Sequence, residues 1–195
     1  MSRGLLALCL MPAVSLAGEF NKTLSVGDAA PAWKDLPGTD GKKHSLADHA
    51  DKVVVVVFTC NSCPVAESYE DRVIAFAEKY KDKVAVVAIN VNTIPDDRLE
   101  AMKKRAEKRR FPFEYLYDET QKIARDYGAT FTPEFFMLTK DRKIAYMGAM
   151  DDKTKADEVK DKYLEAAVDA VLKGDKAAKA ETVAHGCLIR YKRRD

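Results

Sequence analysis

Residues 53–64 read V-V-V-V-V-F-T-C-N-S-C-P, and this stretch constrains the fold more than any other. Five valines and a phenylalanine in a row make a short continuous apolar run, the pattern of a strand buried on both faces at the centre of a sheet. The run ends in two cysteines, Cys60 and Cys63. Beyond them Val65, Tyr69, Val73, Phe76, Ala77 and Tyr80 recur at helical spacing, which predicts a helix over residues 65–80. The cysteine pair is therefore expected at a strand-to-helix junction.

A thiol before a helix faces unpaired backbone N–H groups and the positive end of the macrodipole, both of which favour its thiolate. Lowering a thiol pKa from about 8.5 to about 7 raises the thiolate fraction at pH 7 from roughly 3 % to roughly 50 %. On this reading Cys60 is the nucleophile. Cys63, one helical turn further in and followed by Pro64 in the first turn, is the resolving partner. Two other readings compete. A structural bridge over about four residues would contribute only about 2 kcal/mol, so it staples little. Half of a zinc site needs further ligands, and downstream only His185 and Cys187 present themselves.

At 195 residues the chain suits one well-buried domain. Lys and Arg total 33 against 31 Asp and Glu, so no bulk charge draws it to nucleic acid or anionic lipid. The first residues combine Arg3, an apolar stretch interrupted by Pro12, and the small-residue pattern Ser15-Leu16-Ala17. This reads as a secretory signal over residues 1–17, too short to span a membrane. Export, to a periplasmic or other extracytoplasmic space, with no stable membrane insertion after cleavage, is the expectation. Cleavage would remove Cys9 and leave Cys187 without a partner beside the pair.

Turn formers crowd residues 24–52, including Gly27-Asp28, Ala30-Pro31, Pro37-Gly38 and Asp40-Gly41, which predicts a leader hairpin and a short helical turn from Ser45 or Asp48. His44 and His49 read as solvent-facing. Strand 84–89 completes a parallel crossover unit with the first strand and helix. Residues 96–110 are expected helical, their basic residues forming a solvated face paired with Asp96, Asp97, Glu100 and Glu107. A short strand at 113–117, a short helix at 120–127, and strands at 130–138 and 144–148 follow. Pro133 enters the strand at 130–138, which suggests a special peptide geometry. A long amphipathic helix is expected over 156–173. This sets residues 25–173 as the domain and 174–195 as a basic tail packed on it.

With Cys60-Asn61-Ser62-Cys63-Pro64 after a buried strand, a crossover, and Thr132-Pro133 opening a later strand, the chain resembles the thioredoxin superfamily, in particular exported redoxin-domain proteins. The leader is similar to that of the AhpC/TSA-like branch containing peroxiredoxins and membrane-associated thiol-disulfide reductases. The resemblance runs from about residue 25 to 192 and implies an α/β fold, a central mixed sheet with helices on both faces. It further implies that Pro133 is cis and lies across from Cys60, with the backbone of Thr132 free to pair with a substrate's extended segment. Glu134 either tunes Cys63 or points outward. Peroxiredoxins carry a proline seven residues and a threonine or serine three residues before their reactive cysteine. Val53 and Val57 stand there relative to Cys60, and Val56 and Cys60 relative to Cys63. Copper-delivery relatives space their cysteines by three residues, a further departure.

The expected activity is thiol-disulfide exchange with protein or small-molecule disulfides, recharged by an upstream thiol reductant and needing no metal or organic cofactor. A thiol peroxidase of the redoxin branch and a non-catalytic metal-binding module are the alternatives. For Cys187 three roles compete: packing of the tail, with Leu188 and Ile189 docking on the core; a third redox cysteine; or a metal ligand with His185. Packing is the expectation, since cysteine is often buried for its apolar character alone.

Overall fold

The computed structural model describes residues 18–193, so the predicted signal, residues 1–17, lies outside the described residues. Its centre is the valine run. Strand β3 (Val53–Phe58) follows the small leader hairpin of β1 (Leu36–Pro37) and β2 (Lys43–His44), and none of its side chains is more than 3 % exposed. Full burial of a valine or phenylalanine side chain contributes about 1.5–3 kcal/mol, which makes this strand the energetic centre of the sheet.

Helix α1 (Pro64–Tyr80) crosses over to the parallel strand β4 (Val84–Asn90), paired in register from Val53↔Val84 to Phe58↔Ile89. Helix α2 (Leu99–Arg109), strand β5 (Glu114–Tyr117), helix α3 (Lys122–Asp126) and the two-residue strand β6 (Phe131–Thr132) come next. Strands β7 (Glu134–Leu138) and β8 (Ile144–Gly148), helix α4 (Tyr163–Leu172) and the two-residue strand β9 (Cys187–Leu188) complete the chain. The main sheet runs β5-β4-β3-β7-β8, with β3, β4 and β5 parallel and β7 and β8 antiparallel. It is the mixed α/β sheet of a thioredoxin-like fold.

Alternation along β3 divides the core. Val53, Val55 and Val57 pack with Tyr69, Val73 and Phe76 of α1, Met102 of α2, and Leu164 and Val168 of α4. Val54, Val56 and Phe58 face Trp33, Ile123 and Tyr127 on the other side, where Phe58, Tyr127 and Phe136 meet edge to face with centroids 5.2–5.6 Å apart. Helices thus lie on both faces, three on one and α3 with the leader on the other. Among the described residues no helix is long and apolar enough to cross a membrane.

Three expectations are corrected. The helix predicted over 156–173 begins only at Tyr163, after a single 3-10 turn at Ala156–Glu158. The Asp152 carboxylate accepts the N–H groups of Lys160 and Asp161 at 2.9 and 3.0 Å, closing residues 152–161 into a loop whose apolar spacing only mimics a helix. His44 and His49 are largely buried, with side chains 13 % and 15 % exposed, and both bond to Glu114. Of the basic residues of α2, Lys103 pairs with Glu100 as expected, but the arginines find other partners: Arg105 pairs with Glu67 and Glu70, and Arg109 with Glu70 and Asp71, all on α1.

Candidate active site

The thiols lie beyond the C-terminal end of β3. Pro64 is the first residue of α1, where its missing N–H leaves no bond unmade, so Cys63 becomes the N-cap. Its extended backbone, φ −96° and ψ 114°, turns the side chain back over the helix end, where Sγ accepts the Ala66 N–H at 3.3 Å. As a thiol, Cys63 donates to the Thr132 carbonyl at 3.1 Å. Cys60 sits three residues earlier in the loop, with its Sγ 3.4 Å from Thr132 Oγ1 and 3.7 Å from Ser62 Oγ.

In this geometry the helix end, expected to bear on Cys60, bears on Cys63. The hydrogen bond from Cys60 lowers the Cys63 pKa most; burial opposes it, and contacts with Cys187, the Ala66 N–H and Thr132 add to the lowering. Cys60 is pushed up, first by that same bond to Cys63, then by burial and by the negative charge of Asp97, while Thr132 and Ser62 oppose. The helix end acts on Cys63, not on Cys60.

Asp97, expected as a surface partner of the basic helix, is fully buried and organises the dithiol loop. Its Oδ1 accepts the N–H groups of Asn61 and Ser62 at 2.7 and 3.1 Å, and its Oδ2 accepts the Ser62 hydroxyl at 2.6 Å. Asn92 donates to the same carboxylate at 3.2 Å, and the Asn90 amide donates to the Asp97 carbonyl at 3.1 Å. Tyr115 closes the network by donating to Asn61 Oδ1 at 2.9 Å. Sequence reasoning missed Asp97, Asn90, Asn92 and Tyr115. Two asparagines at the end of an apolar strand, Asn90 and Asn92, were the available signal, since buried polar groups imply partners.

The peptide bond Thr132-Pro133 is cis, and Pro133 lines a cavity of about 20 Å³ with Cys60, Tyr69, Glu70 and Tyr115, room for about one water. Glu134 neither tunes Cys63 through a bond nor points outward. It is 7 % exposed, and its Oε2 accepts the N–H groups of Thr130 and Phe131 at 2.7 and 2.9 Å, holding the turn before the proline; burial raises its pKa against those bonds.

The edge of Thr132, expected to be open to a substrate, is occupied by the chain's own tail: β9 pairs antiparallel with β6, and Cys187 stands opposite Thr132. Cys187 packs against the Cys60, Cys63 and Ala66 cluster rather than into the main core. Ile189 is buried, but Leu188 is 68 % exposed, so only one of the two expected tail anchors docks. His185 is exposed, and among the described residues no group of three His, Cys, Asp or Glu side chains is placed to hold a metal.

A dithiol at a helix N-terminus, facing a cis-proline on a mixed sheet, defines a thioredoxin-like redox thiol protein. Residues 26–147 match the AhpC/TSA family, and the chain belongs to that family. It is similar over most of its length to two solved structures. One is an uncharacterized conserved protein from Geobacillus kaustophilus, 34 % identical, covering 90 % of this chain and 96 % of that one with a TM-score of 0.83. The other is a hypothetical protein from Sinorhizobium meliloti, 33 % identical, with coverages of 88 % and 97 % and a TM-score of 0.81. A Chlorobium tepidum protein provisionally named thiol:disulfide interchange protein DsbE is 25 % identical over 64 % of this chain and 84 % of its own, with a TM-score of 0.57. No curated protein sequence matches.

Proposed function

We propose that the protein is a thiol:disulfide oxidoreductase in which Cys63 is the exchanging thiolate and Cys60 its resolving partner, working outside the cytoplasm on disulfides. The observation that carries this reading is the Cys63 N-cap, where the Ala66 N–H and the Cys60 thiol both stabilise a negative sulfur while Asp97 disfavours one on Cys60. In the reducing direction the Cys63 thiolate attacks a disulfide sulfur, one substrate sulfur leaves as thiolate, and a mixed disulfide forms on Cys63. Cys60 then loses its proton and attacks Cys63 Sγ, releasing the second substrate thiolate and leaving a Cys60–Cys63 disulfide. Two electrons pass to the substrate, and an upstream thiol restores the dithiol. Export rests on the apolar, small-residue pattern of residues 1–17.

The test is reduction of oxidised glutathione and of insulin by the full mature chain, with dithiothreitol as the electron source. Turnover should vanish in Cys63→Ser. Cys60→Ser should be oxidised at Cys63 yet be unable to form the Cys60–Cys63 disulfide. Unchanged turnover in Cys63→Ser would contradict the reading, and rapid turnover with hydrogen peroxide but none with either disulfide would favour the peroxidase alternative.

A further inference from the structure

The dithiol is covered. Cys60 is 4 % and Cys63 2 % exposed, whereas Cys187 is half-buried and has a path to solvent. What covers the pair is the tail, which is fastened on both sides of Cys187. Before it, Gly186 passes so close to the Thr132 carbonyl that a Cβ there would overlap it. After it, the Ile189 N–H donates to the Thr130 carbonyl at 2.9 Å, Arg190 N–H to Asn92 Oδ1 at 3.1 Å, Lys192 N–H to Gln121 Oε1 at 2.8 Å, and the Tyr191 hydroxyl to the Ala129 carbonyl at 2.7 Å. Such a tail is a built part of the site.

Thr132 touches all three cysteines. Its carbonyl accepts the Cys63 thiol, its hydroxyl lies 3.4 Å from Cys60 Sγ, and the same hydroxyl donates to the Cys187 carbonyl at 3.4 Å. The Cys187 side chain packs against the cluster of Cys60, Cys63 and Ala66. Cys187 therefore occupies the strand position beside Thr132 that an extended disulfide-bearing segment would need, and it brings its own sulfur to Cys63.

Building on the oxidoreductase reading, we infer that Cys187 is a third redox cysteine, which carries the disulfide from the buried pair to the surface and there meets external thiols. In the oxidised protein the Cys187 thiolate attacks Cys63 Sγ. A Cys63–Cys187 bond forms, the Cys60–Cys63 bond breaks, and Cys60 leaves with the electron pair and takes up a proton equivalent to the one Cys187 released; the redox level is unchanged. An external thiolate then attacks Cys187 Sγ and expels Cys63, whose lowered pKa makes it the better leaving group. A second external thiol attacks the sulfur of the first, releasing a small disulfide and the Cys187 thiol. The sum is one protein disulfide and two thiols converted to a protein dithiol and one small disulfide.

Oxidising full-length Cys60→Ser with oxidised glutathione, followed by non-reducing peptide mapping, should give an internal Cys63–Cys187 disulfide in place of a lasting glutathione adduct on Cys63. Cys187→Ser should still form the Cys60–Cys63 disulfide, but glutathione should reduce that disulfide at least about tenfold more slowly, because the attack must reach buried sulfurs. Gly186→Ala, which keeps all three thiols and displaces the strand, should slow the same step. A stable Cys63–glutathione adduct in Cys60→Ser, or wild-type reduction kinetics in Cys187→Ser, would overturn the relay. Failure of Cys187→Ser to form any Cys60–Cys63 disulfide would instead count against the oxidoreductase reading.

Discussion

The dithiol loop and the patch around Glu114 both gather titratable side chains, and they stabilise charge in opposite ways. At the N-terminal end of β5, Glu114 accepts from His44 Nδ1 and His49 Nε2, each at 3.1 Å, and Asp40 bonds His44 Nε2 at 3.0 Å; the group lines a cavity of about 370 Å³. Charge there is balanced by opposite charge beside water. Beyond the C-terminal end of β3, by contrast, the Ala66 N–H and the neighbouring Cys60 thiol favour a negative Cys63, while the buried carboxylate of Asp97 holds the loop and disfavours a negative Cys60. A negative sulfur is thus favoured by a fixed backbone donor and a one-sided charge, not by the density of ionisable residues. Screened pairs near water contribute little, while a thiolate at a helix end gains a directed donor with no counter-charge to neutralise it.

The contrast can be broken most severely at Cys63. Cys63→Ser should reduce disulfide-exchange turnover by about 10³-fold or more, because no other sulfur has the helix end behind it. Turnover of glutathione disulfide by the purified variant measures this. Next comes Asp97→Ala, which leaves the Asn61 and Ser62 N–H groups without their acceptor and should destabilise the protein by about 3 kcal/mol in urea unfolding. It should also lower the pKa of Cys60 modestly, since one of the influences that raise it is gone while the bond to Cys63 and burial remain.

The smallest effect belongs to the Glu114 patch. Burial lowers the His44 pKa, but the bonds to Asp40 and Glu114 outweigh it and hold the folded value above 6.5. The stabilisation is therefore complete below pH 6.5, so long as the carboxylates stay ionised, and is lost as pH rises through the folded value. Unfolding free energies should fall by about 0.5 kcal/mol across that window in the parent protein and stay flat in His44→Ala. Exchange kinetics should be the same in both.

Much of the architecture was legible because β3 is apolar on both faces and the helices that cover it carry clear periodicity. The cysteine motif, its junction and the proline before β7 were legible as well. Which cysteine caps the helix differs from the expectation although a signal stands beside it: Pro64 favours the first helical position, which makes Cys63 the N-cap. Apolar periodicity beginning at Val65 could not separate that from a helix capped at Cys60. Asp96 and Asp97 are indistinguishable in sequence, and only the bonds from Asn61, Ser62 and Asn92 show that the second is the one turned inward. The docking of Cys187 depends on a pairing between residues 55 positions apart, with one glycine permitting the approach, so periodicity carries no trace of it.

Which sulfur ionises first can be read without reagent access. In the reduced mature protein labelled with ¹³Cβ-cysteine, the NMR shifts of the three cysteines followed against pH report each thiol separately. Cys63 should titrate first, well below an ordinary thiol, with Cys60 and Cys187 above it. Titration of Cys60 below Cys63 would contradict it.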